Sequence, residues 1–431
     1  MRRNRIDRRR RRKRPIFRPI GVLIVFLVIG IIGIKSVPQI ADFSKNIYKS
    51  FVEKEEPQGS NLSDEYIDID SDTGVDSGQK KNEISKTKIE NIDLLAVGDI
   101  MFHMPQVRSA YTGDGSYDFS PTFKYIKEYV SKADIAIANF ETVTAGNEKG
   151  FSGFPQFNSP KESILALKET GFDILSTANN HCLDRGKDGI ISTIDTIEQY
   201  GLKSVGTYKN PDKHQLIEEI KGIRLGILSY TYGLNGLNGL LTEEELSYMI
   251  NLIDEAKIEK DIKDMKDEDV DLIVVCIHWG NEYQREPSPY QIELGHKMVQ
   301  WGANIILGSH PHVIQKSEIV EHQGKDNFII YSMGNFISNQ RQETMGNPYT
   351  EDGVMLKINI EKNFSTNEAS ITDITFIPTW VHKYREGNKE NYAIVPAEDL
   401  IKGKLNLGVS ENIISRVKKS YDDSINTLNN K

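Results

Sequence analysis

From Ile89 onward, short apolar runs alternate with segments whose apolar residues recur every three or four positions. The apolar runs are typical of buried strands, and the amphipathic segments are typical of helices that pack through one face. Strands are predicted at residues 92–100, 133–140, 172–179, 223–230, 270–279, 303–310 and 327–335, and helices at 160–171, 188–201, 254–269 and 288–302. This alternation predicts an α/β domain with helices layered over sheet.

Two later runs, at residues 354–362 and 371–381, have the pattern of antiparallel strands. The final stretch, residues 391–431, is more polar and is interpreted as a helix or tail. We therefore expect one folded domain over residues 89–390 and a polar C-terminal segment after it.

The N-terminal region has a different pattern. Residues 1–18 hold eleven Lys or Arg and a single Asp, and residues 19–34 hold no charge. Sixteen helical residues reach about 24 Å, and flanking residues to position 37 lengthen the apolar stretch toward the thickness of a bilayer core. We predict an uncleaved signal anchor at 19–37; a cleaved signal peptide is the alternative, although no small-x-small cleavage site is evident.

Charge separates the two ends of the chain. The basic segment carries +10, so with −9 for all 431 residues the remainder carries −19. Basic residues beside a membrane span stay in the cytoplasm, which predicts a cell-membrane protein with a cytoplasmic N-terminus and an extracellular acidic body. The cluster is also compatible with a nucleic-acid arm, but contact with anionic lipid explains it with fewer assumptions, so no nucleic-acid partner is expected. Residues 38–88 are polar and acidic and are interpreted as a flexible linker.

Unusual polar residues fall where the predicted strands end. They are Asp99, His103, Asn139, Glu141, Asn179, Asn180, His181, His278, His310, His312 and Asn335. A single histidine at a strand end is usually a hydrogen-bonded core or loop residue. In an α/β sheet, however, strand ends of the same direction converge on one crevice, so a set of this size indicates a common site. Carboxylate, imidazole and amide ligands suit Mn, Fe or Zn, and carboxylate bridging would let two ions share the site.

At this point a resemblance becomes specific. The segments VGDIMFH, NFET, TANNH, IHWG, GSHPHV and YSMGNF, in this order, resemble the bacterial capsule synthesis protein CapA family. That family supplies the membrane-anchored component of poly-γ-glutamate synthesis. The resemblance covers about residues 91–385 and implies a fold related to calcineurin-like metallophosphoesterases, a sandwich of two mixed sheets flanked by helices.

The resemblance also implies roles for individual residues. Asp99 and His103 would bind a first metal ion, and Glu141 would bridge two ions. Asn180, His278 and His310 would bind the second ion, and His312 would bind the first. His181 would be the general acid, while Asn139 and Asn335 would orient the substrate.

The chain departs from the metallophosphoesterase pattern at three places. Asp-x-His becomes Asp99-x-x-x-His103, Gly-Asp-x-x-Asp becomes Asn139-Phe140-Glu141, and the acid after the catalytic histidine is displaced to Asp184. The first departure puts His103 in doubt as a ligand. The other histidines, among them His382, are assigned to surface or packing.

Three functions remain open from the sequence. The first is a membrane-anchored factor in the biosynthesis or export of a poly-γ-glutamate capsule, with an anionic polymer substrate and other membrane subunits as partners. The second is an extracellular metal-dependent hydrolase of phosphoesters or envelope-polymer amides, unrelated to capsule. The third is a scaffold without catalysis.

Overall fold

The computed structural model of the chain describes residues 88–212 and 215–429. The basic segment, the expected membrane span at 19–37 and the expected linker up to residue 87 lie outside the described residues. Within the described ranges no helix combines the length and the apolar character that a membrane crossing needs.

The strands and helices follow in the order that the sequence pattern predicts. The strands are β1 (Ile89–Ile100), β2 (Tyr111–Gly113), β3 (Ser116–Tyr117), β4 (Ile135–Phe140), β5 (Ile174–Ser176), β6 (Lys203–Val205), β7 (Leu216–Ile220), β8 (Ile223–Thr231), β9 (Leu272–His278), β10 (Ile305–Ser309), β11 (Ser317–His322), β12 (Lys325–Ile330), β13 (Asn335–Ile337), β14 (Asp352–Asn363), β15 (Glu368–Glu386) and β16 (Lys389–Pro396). The α-helices are α1 (Met104–Ala110), α2 (Ser120–Phe123), α3 (Lys127–Val130), α4 (Glu162–Thr170), α5 (Gly186–Gln199), α6 (Glu243–Met249), α7 (Glu255–Lys266), α8 (Pro289–Trp301), α9 (Gln342–Met345), α10 (Ala397–Ile401) and α11 (Glu411–Leu428).

Two mixed sheets form the centre of the domain. The first has the order β16-β15-β14-β1-β4-β5-β6, with β13 also paired to β1, and the second has the order β11-β12-β10-β9-β8-β7. In each sheet four neighbouring strands are parallel: β1, β4, β5 and β6 in the first, and β12, β10, β9 and β8 in the second. The other strands of the two sheets are antiparallel to their neighbours, except β13, which is parallel to β1.

The sheets pack face to face with helices outside them. Successive side chains of a strand point to opposite faces, and in β1 Leu94 and Ala96 join the core between the sheets while Leu95 and Val97 join the core beneath the helices. A third core packs α7 and α8 on the outer face of the second sheet. The predicted α/β architecture of mixed sheets flanked by helices is therefore observed.

Local signals explain where the predicted helices begin and end. The helix expected at 288–302 is α8: the side chain of Ser288 accepts a hydrogen bond from the Gln291 backbone, Pro289 occupies the first turn, and Gly302 ends the helix in the left-handed conformation. Serine is favoured before a helix because its side chain accepts a backbone N–H, and proline is favoured in the first turn because it has no N–H to satisfy. Glycine is favoured at the end because it adopts the left-handed conformation without strain.

One predicted strand is wrong. The run 327–335 was expected to be continuous, but β12 ends at Ile330 and Asn335 begins β13 in the other sheet, opposite Asp99 of β1. The chain turns at Gly334, whose φ of +69° is the left-handed region that favours glycine. The apolar run thus crosses from one sheet to the other.

The C-terminal segment belongs to the folded body. Strand β16 crosses the expected boundary at residue 390 and pairs with β15. Helix α11 buries Val417, Ser420, Ser424 and Leu428, and Leu428 joins the core between the sheets. The polar character of this segment reflects the solvent face of an amphipathic helix, since only one face is buried.

Helix α11 also covers a buried acid that makes stability depend on pH. Burial, with Glu351 and Asp423 nearby, raises the pKa of Asp352 to about 7, although the Ser420 hydroxyl donates to its Oδ1 at 2.6 Å. Because the folded-state pKa is raised, this group's contribution to stability is complete below the unfolded pKa of 3.8 and is lost as pH rises through about 7.

Asp352→Asn should remove that loss. The free energy of unfolding of the variant, relative to the natural chain, should rise by on the order of 3 kcal/mol between pH 4 and pH 8. Urea unfolding at the two pH values, with metal concentration held constant, measures this. An equal difference at both pH values would contradict the assignment.

Candidate metal centre

The parallel strands of both sheets end at one place, and the polar strand-end residues meet there. Asp99 lies in β1 of the first sheet, and its Oδ2 is 3.0 Å from Nδ1 of His312, which follows β10 of the second sheet. Asn180 follows β5, and its Oδ1 is 3.0 Å from Nε2 of His278 at the end of β9. The predicted convergence of the strand ends is therefore observed across the two sheets.

A glycine allows β1 to approach the loop before β13. A Cβ atom on Gly98 would lie 2.0 Å from the carbonyl oxygen of Gly334, and the backbone N–H of Asp99 donates to that oxygen at 3.0 Å. Any side chain at position 98 would push the two segments apart and displace the Asp99 carboxylate.

Asp99 is fully buried and held by three donors. Its Oδ1 accepts from Nδ2 of Asn139 at 2.8 Å and from the backbone N–H of His310 at 3.4 Å, and its Oδ2 faces His312. These contacts fix the orientation of the carboxylate.

Glu141 has the opposite environment. Its side chain is completely buried, and neither carboxylate oxygen has a hydrogen-bond partner among the described residues. Oε1 lies 3.5 Å from Nε2 of His278 and 3.8 Å from Nε2 of His312. Burial and the nearby Asp99 carboxylate raise the pKa of Glu141 well above its usual range. A buried carboxylate without donors is costly unless a cation compensates it.

Glu141 is shared by two groups of possible ligands. One group contains Asp99, Glu141 and His278, the other contains Glu141, His310 and His312, and the donor atoms of each group lie within 4.8 Å of one another. All five residues are buried. The arrangement offers two three-donor sites with one carboxylate in common.

The histidines of the centre are in the form that binds metal. Burial and the neighbouring His310 hold the pKa of His278 well below its usual range, and burial lowers the pKa of His310 to about 3. At neutral pH both rings are uncharged, so each has a nitrogen lone pair available. Nδ1 of His310 is buried and has no hydrogen-bond partner among the described residues.

The backbone after β10 is shaped to present both of its histidines. His310 has a φ of +98° and His312 a φ of +58°, values that non-glycine residues rarely adopt. Such strain occurs at functional sites, where surrounding contacts maintain it.

His181 and Asp184 form a second feature beside the ligand groups. Nδ1 of His181 lies 2.8 Å from Oδ2 of Asp184, which also accepts the Phe157 backbone N–H at 2.6 Å. With Nδ1 donating to the carboxylate, Nε2 is the nitrogen that can exchange a proton with a substrate. The acid displaced by three residues therefore contacts the histidine as its place in the sequence suggested.

His103 lies at the edge of the site. Its ring packs edge-on against Phe157 with centroids 5.2 Å apart, and its Nδ1 accepts the backbone N–H of Asn339 at 3.3 Å. Neither ligand group contains His103. Its role as a ligand stays a prediction.

Asn139 and Asn335, the expected substrate-orienting residues, are both buried. Nδ2 of Asn335 donates to the Thr350 carbonyl at 2.9 Å and to the His312 carbonyl at 3.3 Å, so its amide supports the loop that carries His312. The side-chain oxygens of both asparagines lack partners among the described residues. Binding of substrate by these two residues stays a prediction.

Sequence reasoning missed Tyr232, which lies over the centre. Its ring is 4.5 Å from that of His310 and is stacked at 6.2 Å on that of His278, and 46% of the residue is exposed. Tyr232 directly follows β8, one of the four parallel strands of the second sheet. Its position after a strand was the available signal, although its side chain is not of the metal-ligating types found at the other strand ends.

Fold and site together define an α/β protein with a buried, two-sheet carboxylate–imidazole centre. The family model of the bacterial capsule synthesis protein PGA_cap matches residues 93–340. The chain belongs to this family.

Relatives and solved structures extend the comparison. The chain is 30% identical over 284 residues to the capsule biosynthesis protein CapA of Bacillus anthracis, covering 64% of this chain and 65% of that protein. It is 29% identical over 311 residues to the PGA biosynthesis protein CapA of Bacillus subtilis, covering 68% and 75%. The alignment thus spans slightly less than two thirds of the Bacillus anthracis protein.

Among solved structures, a phosphatase of Mycoplasma pneumoniae matches with a TM-score of 0.41 and 16% identity, covering 68% of this chain and 94% of that chain. The calcineurin-like phosphoesterase YfkN of Bacillus subtilis matches with a TM-score of 0.40 and 14% identity, covering 78% and 98%. Both likenesses are distant.

Proposed function

We propose that this chain is a metal-dependent component of poly-γ-glutamate capsule synthesis and export, with a hydrolase-type centre facing the outside of the cell. It is anchored by residues 19–37, which would leave the basic segment in the cytoplasm and the acidic body outside. The family and the two CapA relatives support the link to capsule.

The observation that carries the proposal is Glu141. Its two buried, unpartnered oxygens are placed between His278 and His312 and opposite Asp99. A hydrogen-bonding role does not explain this carboxylate, because no donor reaches it among the described residues. A divalent cation would supply the missing charge and the missing partner.

The residues present fit two divalent ions of the Mn, Fe or Zn type. Asp99, Glu141 and His278 would hold one, and Glu141, His310 and His312 the other, with Glu141 between them. When bound, the ions supply charge stabilisation to a substrate oxygen and lower the pKa of a water.

The protein's own residues position the remaining chemistry. Asp184 orients the His181 ring, so that Nε2 can give a proton to the leaving nitrogen or oxygen of a cleaved amide or phosphoester. The rings of Tyr232 and Phe157 contact the site histidines and restrict access of water. This paired His–Asp arrangement favours retained hydrolytic chemistry over a purely structural scaffold.

The anionic polymer and the membrane subunits that make and move it would be the partners. Replacing the gene in a polymer-producing host by the Glu141→Gln allele should abolish cell-surface poly-γ-glutamate, as should His181→Asn. Glu244→Gln, at an exposed helix position, is the matched control and should leave the polymer unchanged. Normal surface polymer with the Glu141 allele would overturn the proposal.

A further inference from the structure

A second concave surface lies outside the metal centre. It is a cavity of about 1030 Å³ between the start of α2 and α3, the end of β15, and the segment that leads into α11. Its lining includes Lys124, Lys127, Lys383 and Arg385 and a single carboxylate, Glu386. We call this cavity the basic groove.

Among the described residues, three of the four cations of the basic groove lack a carboxylate partner, and the fourth, Lys383, pairs with Glu390 at 3.1 Å. Residues 19–431 carry a net charge of −19, and most described surface lysines have a carboxylate within 4 Å, as Lys187, Lys203 and Lys260 do. Within the described ranges Lys124, Lys127 and Arg385 have no such partner. Three unpaired cations therefore share one cavity on an otherwise acidic body.

A buried histidine of β15 also lines the basic groove, from the strand face opposite to that of Lys383 and Arg385. His382 is 6% exposed, and its Nδ1 has no hydrogen-bond partner among the described residues. The ring stacks on Tyr384 at 5.1 Å and on Trp380 at 5.7 Å, which fixes its plane. Burial lowers the pKa of His382 to about 4, so at neutral pH the ring is uncharged and can donate one hydrogen bond without repelling the cations.

A series of contacts through the protein interior runs from the basic groove to the edge of the metal centre, by way of the buried Tyr392. The Lys383 ammonium lies 5.7 Å from the centroid of the Tyr392 ring, and the Tyr392 hydroxyl donates to Oδ1 of Asn339 at 2.7 Å. The backbone N–H of Asn339 in turn donates to His103. Arg108, five residues after His103 and about 7.5 Å along α1, lines a neighbouring depression that shares Glu386.

We propose that the basic groove binds a stretch of the polycarboxylate chain. Separate ammonium groups match the separate carboxylates of a flexible polymer, and Leu407, Val409 and Ile413 offer apolar contact to its methylene groups. A local basic patch also offsets the repulsion between an anionic chain and the acidic body. That the polymer is poly-γ-glutamate rests on the function proposed above.

The test is hydrogen exchange of the full-length chain in detergent, with and without poly-γ-glutamate, read by mass spectrometry. Adding the polymer should protect peptides covering 120–127 and 405–413. This local reading separates the basic groove from the N-terminal arginines, which also attract polyanions. If adding the polymer leaves the hydrogen exchange of these peptides unchanged, the proposal is contradicted.

In the triple variant Lys124→Gln, Lys127→Gln and Arg385→Gln, the polymer concentration that gives half-maximal protection should rise by about tenfold. His382→Phe, which preserves the stacked ring and removes its nitrogens, should raise it less. Both variants should keep the metal content of the natural chain.

The matched control neutralises Lys187, Lys203 and Lys260 to Gln, with the same change in net charge. The polymer concentration that gives half-maximal protection should stay within about twofold of that for the natural chain, because these three lysines do not line the basic groove. Equal weakening in the control and the triple variant would overturn the proposal by showing general charge attraction. Glu141→Gln should keep the protection by polymer even though it should abolish cell-surface polymer. The two measurements therefore test the basic groove and the metal centre separately.

Discussion

Glu141→Gln should reduce the metal content of the purified chain from about two equivalents to well below one, because both ligand groups share this carboxylate. The amide keeps the shape of the side chain but loses the charge that two cations would share. We expect the natural chain, at metal concentrations about 100-fold above its Kd, to gain about 2.7 kcal/mol of stability for each ion bound, and the variant to gain almost none.

The same substitution should have the opposite effect without metal. The folded-state pKa of Glu141 is raised, so this group's contribution to stability is complete below the unfolded pKa of 4.5 and is lost as pH rises through the folded pKa. Gln does not ionise, and the metal-free variant should therefore be more stable than the metal-free natural chain at pH 8. The advantage should vanish below pH 4.5.

Thermal unfolding with chelator at pH 4 and pH 8, and with added Mn at pH 8, measures both effects. Glu244→Gln is the control, because it makes the same chemical change at an exposed position. If the metal response of the Glu141 variant equals that of the control, Glu141 is not a ligand.

His181→Asn should remove turnover while metal content stays at that of the natural chain. His181 is absent from both ligand groups, and its Nδ1 is occupied by Asp184. Loss of a positioned general acid reduces rates by about 10²- to 10⁴-fold. Asp184→Asn should give a smaller loss and an altered pH profile, because the amide holds the ring without stabilising its protonated form.

Turnover is measured on metal-loaded full-length protein with a panel of γ-glutamyl amides and phosphodiesters, and metal content is measured on the same samples. A variant with normal turnover would exclude His181 as the acid. Loss of metal together with turnover would instead place His181 among the ligands.

The convergence of the site was predictable because it follows from sheet geometry. Asp99, Glu141 and His278 each come at or just after the end of a buried apolar run, and parallel strands bring such ends together. Asp184 was recognisable as the displaced acid from the resemblance to the metallophosphoesterase pattern, because it lies three residues after His181. These relations depend on short spacings that a sequence shows directly.

Other features depend on backbone geometry that no pattern of apolar positions reveals. Asn335 was assigned to the end of a single strand, whereas the left-handed turn at Gly334 carries it into the other sheet. The division of ligands into two groups depends on the positive φ values of His310 and His312, which direct both rings to Glu141. Proximity places Asp99 with His278, whereas the resemblance implied Asp99 with His103 and His312; the assignment of each residue to an ion stays a prediction.

The basic groove was beyond sequence reasoning for a different reason. Its cations come from residues 124–127 and 383–385, which are far apart in the sequence. Only the packing of α2 on the hairpin of β15 and β16 makes them neighbours. His382, expected to serve surface or packing, has both a packed ring and an unpartnered nitrogen.

The two-ion centre is tested by the metal content of the full-length chain, purified in detergent without chelator and measured by elemental mass spectrometry. We expect about two equivalents of Mn, Fe or Zn per chain. Less than about a fifth of an equivalent, even after incubation with each of these ions and removal of the excess, would contradict it.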